Sequence, residues 1–323
     1  MHTTTLLALV GLAFAAPAAH ATQVIFEEDF ESGLGGWIAN DPWHIEADTD
    51  PCGSLIAPFP IGNNAAYYGS ADCDFVDYGT ASSLLMANSL HIPAGKIVTL
   101  TFTGYEDAEC LDCFWDFRYL IVHSPQFFEQ IVYSNGPLQV WEEHEVNLTQ
   151  FSGYDIQIEF QYDPFDFVDN EFLGWMIDDV RIEIKDAPEV YCQTAPNTVG
   201  AGARIGWSGD TSVTGNSFWI RATEAPVHQV GLFYYGPTAL SMPFGNGTRC
   251  VGGGGTGTVR LNPPGAFNLD GYMVRQVDFT TAPAVAGPGM IVAGSEWFFQ
   301  CWYRDDVGAG HNLSDALRVP FSL

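Results

Sequence analysis

Two all-β domains, each a sandwich of sheets, are the fold this sequence predicts, and three observations predict it. Apolar residues recur at every second position in stretch after stretch, the pattern of a pleated strand with one buried face, and no segment carries a helical period. Clusters of Gly, Pro, Asn and Asp separate the stretches as turns. Charge then divides the chain: residues 23–186 hold 30 acidic and 4 basic side chains, a net of −26, whereas residues 187–323 hold 9 and 7, a net of −2. Each piece has the size of an ordinary domain.

Ahead of both, residues 1–21 read as a signal peptide, with an apolar run from Leu6 to Ala16 and small residues around His20 at Ala19 and Ala21. The run is too short to span a bilayer and Pro17 follows it, so the expectation is an exported protein, secreted or held at the cell surface, without membrane insertion. All seven cysteines lie in the exported part, where disulfides persist. Cys52 with Cys73 closes a loop rich in Gly, Pro and Asn, a constraint of about 3 kcal/mol. Cys110 and Cys113 form a local structural disulfide rather than a redox pair, because the FWDFRYLIV that follows reads as strand where a redox motif needs helix. Cys192 is expected to pair with Cys250, which leaves Cys301 buried and free or paired between chains.

The first domain, residues 23–186, opens on a strand in which Val24, Phe26, Glu28 and Phe30 alternate with Glu27, Asp29 and Glu31. Glycines end it, and Trp37 and Trp43 begin the core. Residues 51–79 form a long loop. Strands resume with Val98, Leu100 and Phe102, then with the apolar run 118–122, then with Val146 and Leu148. Ile156, Ile158, Phe160 and Tyr162 next oppose Asp155, Gln157, Glu159 and Gln161. The last strand, GWMIDDVRIEI at 174–184, read by strict alternation from Asp178, puts Asp178, Val180, Ile182 and Ile184 on one face and Asp179, Arg181, Glu183 and Lys185 on the other. Glu28 and Asp178 thus point into apolar rows, where an unpartnered carboxylate costs on the order of several kcal/mol. Such a pair wants a cation, and oxygen-rich clusters on a rigid scaffold are what Ca²⁺ binds.

At its two ends this domain resembles a known family. FEEDFESGLGGW at 26–37, the LTFTGY strand, Trp141 with HEVNLTQFSGYDIQIEFQYD, and the close from Asn170 through GWMIDDVRI resemble the MAM-type jelly roll. They equally resemble the jelly-roll domain of secreted bacterial metallopeptidases of the immune-inhibitor-A kind. The resemblance spans nearly all of residues 24–184 and implies a non-catalytic module that binds protein or carbohydrate. It also implies a structural Ca²⁺ between the first and last strands, held by Glu28 with Asp29 or Glu31, by Asp178 with Asp179, and by Asp116 from mid-domain. The MAM cysteine pattern is absent, which favours the bacterial relatives. Plainer roles stand beside these: Asp179 paired with Arg181 or facing water, and Asp163, Asp166 and Asp169 in a solvated loop without EF-hand spacing. Phe114, Trp115 and Phe117 form either a sugar-stacking platform or part of the core.

Residues 187–323 begin with a polar linker and continue as Gly-rich strands such as VGLFYYG, SEWFFQCWYRD and DALRVPF, with turns at FGNG and GGGG. From YCQTAPNTVGAGARIG to WFFQCWYRDDVGAGHNLSDALRV the half resembles a C-terminal module of exported proteins from planctomycetes and similar bacteria. That resemblance implies an extracellular or surface setting and an unpaired Cys301, and no activity.

No motif points to catalysis. HEVNL at 144–148 lacks the second His of a zinc protease, GWSGD at 206–210 is not a nucleophile elbow, and residues 252–257 lack the Lys-Ser/Thr of a phosphate loop. The acidity of the first half repels nucleic acid and anionic membranes, and serves either solubility or a cationic partner. The expected function is a secreted, non-catalytic binding or adhesion protein stapled by Ca²⁺, its partner an extracellular protein or glycan. The alternatives are a carbohydrate-binding protein, which predicts exposed aromatics on one sheet face, and an uncharted glycosidase, which predicts two carboxylates in one cleft.

Overall fold

A computed structural model describes residues 22–73, 81–108, 116–132, 139–164 and 172–323. The expected signal peptide, Cys110, Cys113, Phe114, Trp115, Asp166 and Asp169 lie outside the described residues. Those described form two compact units, Thr22–Ala187 and Pro188–Leu323, and both are built of strands. No helix among them is long and apolar enough to cross a membrane.

The first unit is a jelly roll of two antiparallel sheets. One sheet runs β10 (Trp141–Asn147), β7 (Lys96–Asp107), β12 (Gly174–Asp186), β4 (Asn64–Tyr68) and β3 (Trp43–Ala47), with β1 (Gln23–Glu28) also on β12. The other runs β2 (Trp37–Ala39), β5 (Ser82–Met86), β11 (Asp155–Pro164), β8 (Asp116–His123) and β9 (Phe128–Val132), with β6 (Leu90–His91) on β11. Between them Phe160 packs its ring against Trp37, Phe102 and Trp175 at centroid distances of 5.9, 5.1 and 5.7 Å. Each such buried side chain stabilises the fold by about 1.5–3 kcal/mol.

Strict alternation fails at one place in β12. Asp178 pairs with Thr103 and Arg181 with Thr101, so three steps on β12 match two on β7. Asp179 sits in the left-handed region at φ 48° within this bulge. One extra residue flips the side-chain phase. Trp175 and Ile177 face the core before the bulge, as do Val180, Ile182 and Ile184 after it. Asp178 therefore shares the outer face with Met176 and does not begin the apolar row. It is nevertheless fully buried, because that outer face is covered: Cys52, Phe59, Tyr67, Tyr105, Leu173 and Met176 form a second apolar layer there. A short helix α1 (Gly53–Ile56) lies in the covering segment. Buried Glu46 accepts from the backbone N of Cys52 and Gly53 at 2.8 and 2.9 Å, and the Cys52–Cys73 disulfide closes the loop. The outer face of the β2–β5–β11–β8–β9 sheet has no such apolar layer among the described residues.

The second unit packs a sheet of β13 (Glu189–Tyr191), β23 (His311–Pro320), β22 (Glu296–Arg304), β16 (Val230–Gly236) and β19 (Val259–Arg260), with β20 (Gly265–Ala266) on β16, against β14 (Arg204–Ser208), β15 (Trp219–Thr223) and β21 (Met273–Gln276). Phe218, Phe299 and Phe321 meet in its core. On the other face of the larger sheet lies a hairpin, β17 (Thr238–Phe244) and β18 (Gly247–Gly252), tied by the Cys192–Cys250 disulfide. Cys301 is a buried free thiol, and burial pushes its pKa far up.

Candidate functional site

The outer sheet face of the first unit is set by strand register. On β11, Ile156, Ile158, Phe160 and Tyr162 point into the core, so Gln157, Glu159, Gln161 and Asp163 point out and are half-buried. Opposite them on β8 stand His123, Ile121, Tyr119 and Phe117, and on β5 Leu85 and Ser83. Residues directly opposed on an antiparallel pair share a face. Two kinds of surface result. Phe117 and Tyr119 stack at 5.6 Å and 16°, an aromatic strip two residues long. Beside it runs a polar row centred on Glu159: Ser83 donates its hydroxyl to Oε1, Gln161 Nε2 donates to Ser83 Oγ at 3.3 Å and to Glu159 Oε1 at 3.4 Å, and His123 Nε2 lies 2.5 Å from Oε2. Burial raises the Asp163 carboxyl, and burial followed by that neighbouring charge raises the Tyr119 phenol. Chemically this is an aromatic platform with donors and acceptors fixed along its edge, a surface that suits a ring with an apolar face and hydroxyl rim.

Behind the platform β8 is pinned by charge. Asp116 and Arg118 alternate with Phe117 and Tyr119 and point inward. Arg118, fully buried, reaches across the sandwich so that its Nε lies 3.1 Å from Glu106 Oε2 on β7. His144 Nε2 stands 3.8 Å from the other oxygen of Glu106. Burial outweighs the attraction of Arg118 and pushes the Glu106 carboxyl up to about 7, while burial lowers the His144 imidazole. Asp116 hydrogen-bonds Tyr162, whose ring stacks on Tyr68 at 4.2 Å.

The acids that the sequence marks for calcium are distributed differently. Glu28 accepts from Phe30 N at 3.0 Å and from Trp37 Nε1 at 3.3 Å, fixing the turn after β1. Asp29 accepts from Glu31 N at 3.1 Å. Glu31 accepts from the backbone N of both Asn63 and Asn64 at 2.7 Å, bonds that lower its pKa. Asp178 Oδ1 accepts from Asp179 N at 2.7 Å, whereas its Oδ2 is buried with no hydrogen-bond partner. Burial raises the Asp178 carboxyl to about 7 against the opposing backbone hydrogen bonds of Asp179 and Ile61, and the charges of Asp179 and Glu31 add to the rise. Asp179 has its carboxyl raised by burial and then by Glu27, with Glu143 and Asp29 adding. Asp116 belongs to the Tyr162 contact in the interior. Among the described residues no three His, Cys, Asp or Glu side chains gather as a metal group.

Of the aromatic residues singled out by sequence, Phe117 is on the platform. Tyr119, His123, Glu159, Gln161 and Ser83 were not marked. Their signal was the polar half of the β11 alternation, together with a Tyr inside what reads as an apolar run.

No family model matches the chain, whether of the MAM type or for its second half. Over 169 residues, 50% of this chain, it is 25% identical to bacillopeptidase F of Bacillus subtilis (strain 168), and it spans only 11% of that relative's length. Solved structures similar to it include TmCBM61 in complex with β-1,4-galactotriose (TM-score 0.33, 14% identity, 48% of this chain and 92% of that one). Another is the CBM22-1 xylan-binding domain of Xyn10C from Paenibacillus barcinonensis (TM-score 0.34, 12% identity, 53% and 99%). A third is the glycoside hydrolase domain of Endo-D from Streptococcus pneumoniae R6 (TM-score 0.26, 10% identity, 88% and 37%).

Proposed function

We propose that Thr22–Ala187 is a non-catalytic carbohydrate-binding unit of an exported protein, and that its ligand is a neutral glycan lying across the outer face of β11 and β8. The observation that carries this reading is the register that sets the stacked Phe117–Tyr119 pair beside the Ser83–Glu159–Gln161–His123 row. A pyranose ring buries its apolar face against the aromatic strip, and its hydroxyls exchange with the polar row. Neutral sugar suits the face better than an anion, since Glu159 and Asp163 repel negative charge. Glu159 already accepts from Ser83 and Gln161 and contacts His123, so it acts as a positioned acceptor rather than a general acid. The test is affinity electrophoresis of the full chain in xylan, galactan and glucan gels, beside Tyr119→Ala. Retardation by a neutral polysaccharide, lost about tenfold in the variant, is expected from one stacking contact. No retardation by any of the three, or hydrolysis of the retained glycan, overturns the reading.

Calcium is part of the same proposal. The buried Asp178 carboxyl is supported by the backbone of Asp179 and Ile61, yet its Oδ2 has no close hydrogen bond and it lies near enough to Glu31 to feel its charge, a pairing of acids that suits a cation. Asp178 and Glu31 are the side chains that would hold Ca²⁺, which commonly completes its shell with backbone carbonyls and water. When bound it would tie the turn after β1 to the last strand. Saturating Ca²⁺ is expected to raise stability by about 3–4 kcal/mol over chelator, and Asp178→Asn to abolish the rise. An equal rise in the variant removes Asp178 from the site, and no rise in either protein removes calcium.

A further inference from the structure

The second unit holds a cleft of about 380 Å³ that the glycan-binding reading of the first does not use. Its floor is the outer face of the larger sheet. Register puts Arg260, Tyr234 and Gln300 in one cross-strand row, and Leu232, Trp302 and Leu313 in the next. One wall is the β17–β18 hairpin, which supplies Phe244 and Arg249. The hairpin is held close. Gly245, at φ 62°, turns against His311, where an added Cβ would approach Nε2 to 2.3 Å. The Asn246 side chain donates to Val307 O and accepts from Ala309 N, both at 2.7 Å. From beneath, the buried Gln300 amide accepts from Cys250 N at 2.9 Å and donates to Thr248 O and Ser314 O. Phe244, His311 and Trp302 then make a continuous aromatic wall, with centroids 5.2 and 5.9 Å apart.

Charge decides what fits. In a chain of net charge −28, Arg249 and Arg260 both line this cleft, and among the described residues neither has a carboxylate within ion-pair distance. The Arg249 guanidinium is steadied through Nε, which donates to Val251 O at 3.0 Å. Two guanidinium groups over an aromatic and aliphatic floor select a ring that carries a carboxylate, because Arg binds carboxylate in a fork and the ring covers the apolar surface. A free inorganic anion would leave that surface wet. An extended acidic peptide would lack main-chain partners, since the cleft lies on a sheet face and not along an edge.

We infer that this cleft binds an acidic glycan through a uronate residue, with the ring against Trp302 and Phe244 and the carboxylate on Arg249 and Arg260. The inference rests on a different unit from the neutral-glycan reading and fails separately from it. Isothermal titration of the full chain with trimers of galacturonate and of mannuronate tests it, with the methyl-esterified galacturonate trimer and triglutamate as controls. At least one uronate trimer should bind ten times more tightly than either control. Arg249→Gln and Arg260→Gln should each weaken it at least fivefold without changing the melting temperature, and Trp302→Phe should weaken it less than Trp302→Ala. Binding of neither trimer overturns the inference, as does triglutamate binding equally well. Loss of uronate binding in Tyr119→Ala, with Arg249→Gln unaffected, overturns it by moving the ligand to the first unit.

Discussion

Both proposed ligand surfaces are held from behind by a buried polar side chain, and the two use opposite chemistry. Under the Phe117–Tyr119 platform an ion pair, Arg118 with Glu106, joins the two sheets of the first unit. Under the cleft a neutral amide, Gln300, joins β22 to the hairpin and to β23. The amide meets a donor and two acceptors of the main chain and also accepts from Tyr234 Oη, so little of its polarity is left uncompensated. The ion pair removes two charges from water, and the raised Glu106 carboxyl is the sign that burial outweighs the attraction of Arg118. A neutral anchor with main-chain partners therefore costs little to bury, whereas an ionic one depends on its partner remaining in place.

The comparison breaks most visibly at Arg118. Arg118→Met leaves Glu106 buried without its cation and should cost about 3–5 kcal/mol in the calorimetric transition of the first unit. Adding Glu106→Leu should recover that loss, with a gain over the parent of up to about 4 kcal/mol, since a packed apolar pair avoids the desolvation. Gln300→Met should cost about 1–3 kcal/mol for the groups it leaves unsatisfied. No second substitution can restore it, because three of its partners are backbone atoms. Recovery in the Gln300 series, or none in the Arg118 series, would end the contrast.

Acidity sharpens the same contrast. Glu106 has its folded pKa raised from the ordinary 4.5 to about 7. A carboxyl raised on folding contributes stability that is fully present below its unfolded pKa and is lost as pH climbs through the folded one. Between pH 4.5 and 7 the first unit should therefore lose a contribution that is absent from Glu106→Leu/Arg118→Met. The penalty of Gln300→Met should stay constant across that window, as neither the amide nor its partners titrate there.

How much of this was legible in the sequence differs between fold and site. Alternation on β7 and β11 placed their apolar rows on the core side because no residue interrupts the period. In β12 the bulge moved Asp178 to the outer face, and its trace was present: Trp175 and Ile177 are spaced by two, but the next apolar residues are Val180 and Ile182, after a step of three. Strict alternation counted from inside the bulge turns Asp178 inward. The platform was half legible, since Tyr119 and Glu159 fall on the outward parity of strands whose inward parity was plain. The cleft was not. Leu232, Phe244, Arg249, Arg260 and Trp302 come from five strands, and only the hairpin's return over the sheet brings them together.

Salt should produce the smallest effect, and it separates the two surfaces without any substitution. A neutral sugar on the platform is held by ring contact and hydrogen bonds between uncharged groups, so its affinity should change less than twofold between 0.05 and 0.5 M NaCl, concentrations at which the screening length falls from about 14 to about 4 Å. A uronate on Arg249 and Arg260 meets two half-exposed or exposed cations, and the same change should weaken it about three- to fivefold, the scale of one exposed ion pair of under 1 kcal/mol. The direction carries the argument. The chain as a whole is strongly acidic and repels the trimer at low salt, so binding that weakens as salt rises reports local attraction by arginine, and loss of that dependence in Arg249→Gln and Arg260→Gln assigns it to these two. Titration of one protein sample with both ligands at both salt concentrations reads the difference directly. Equal salt dependence for the two ligands would mean that they share one surface.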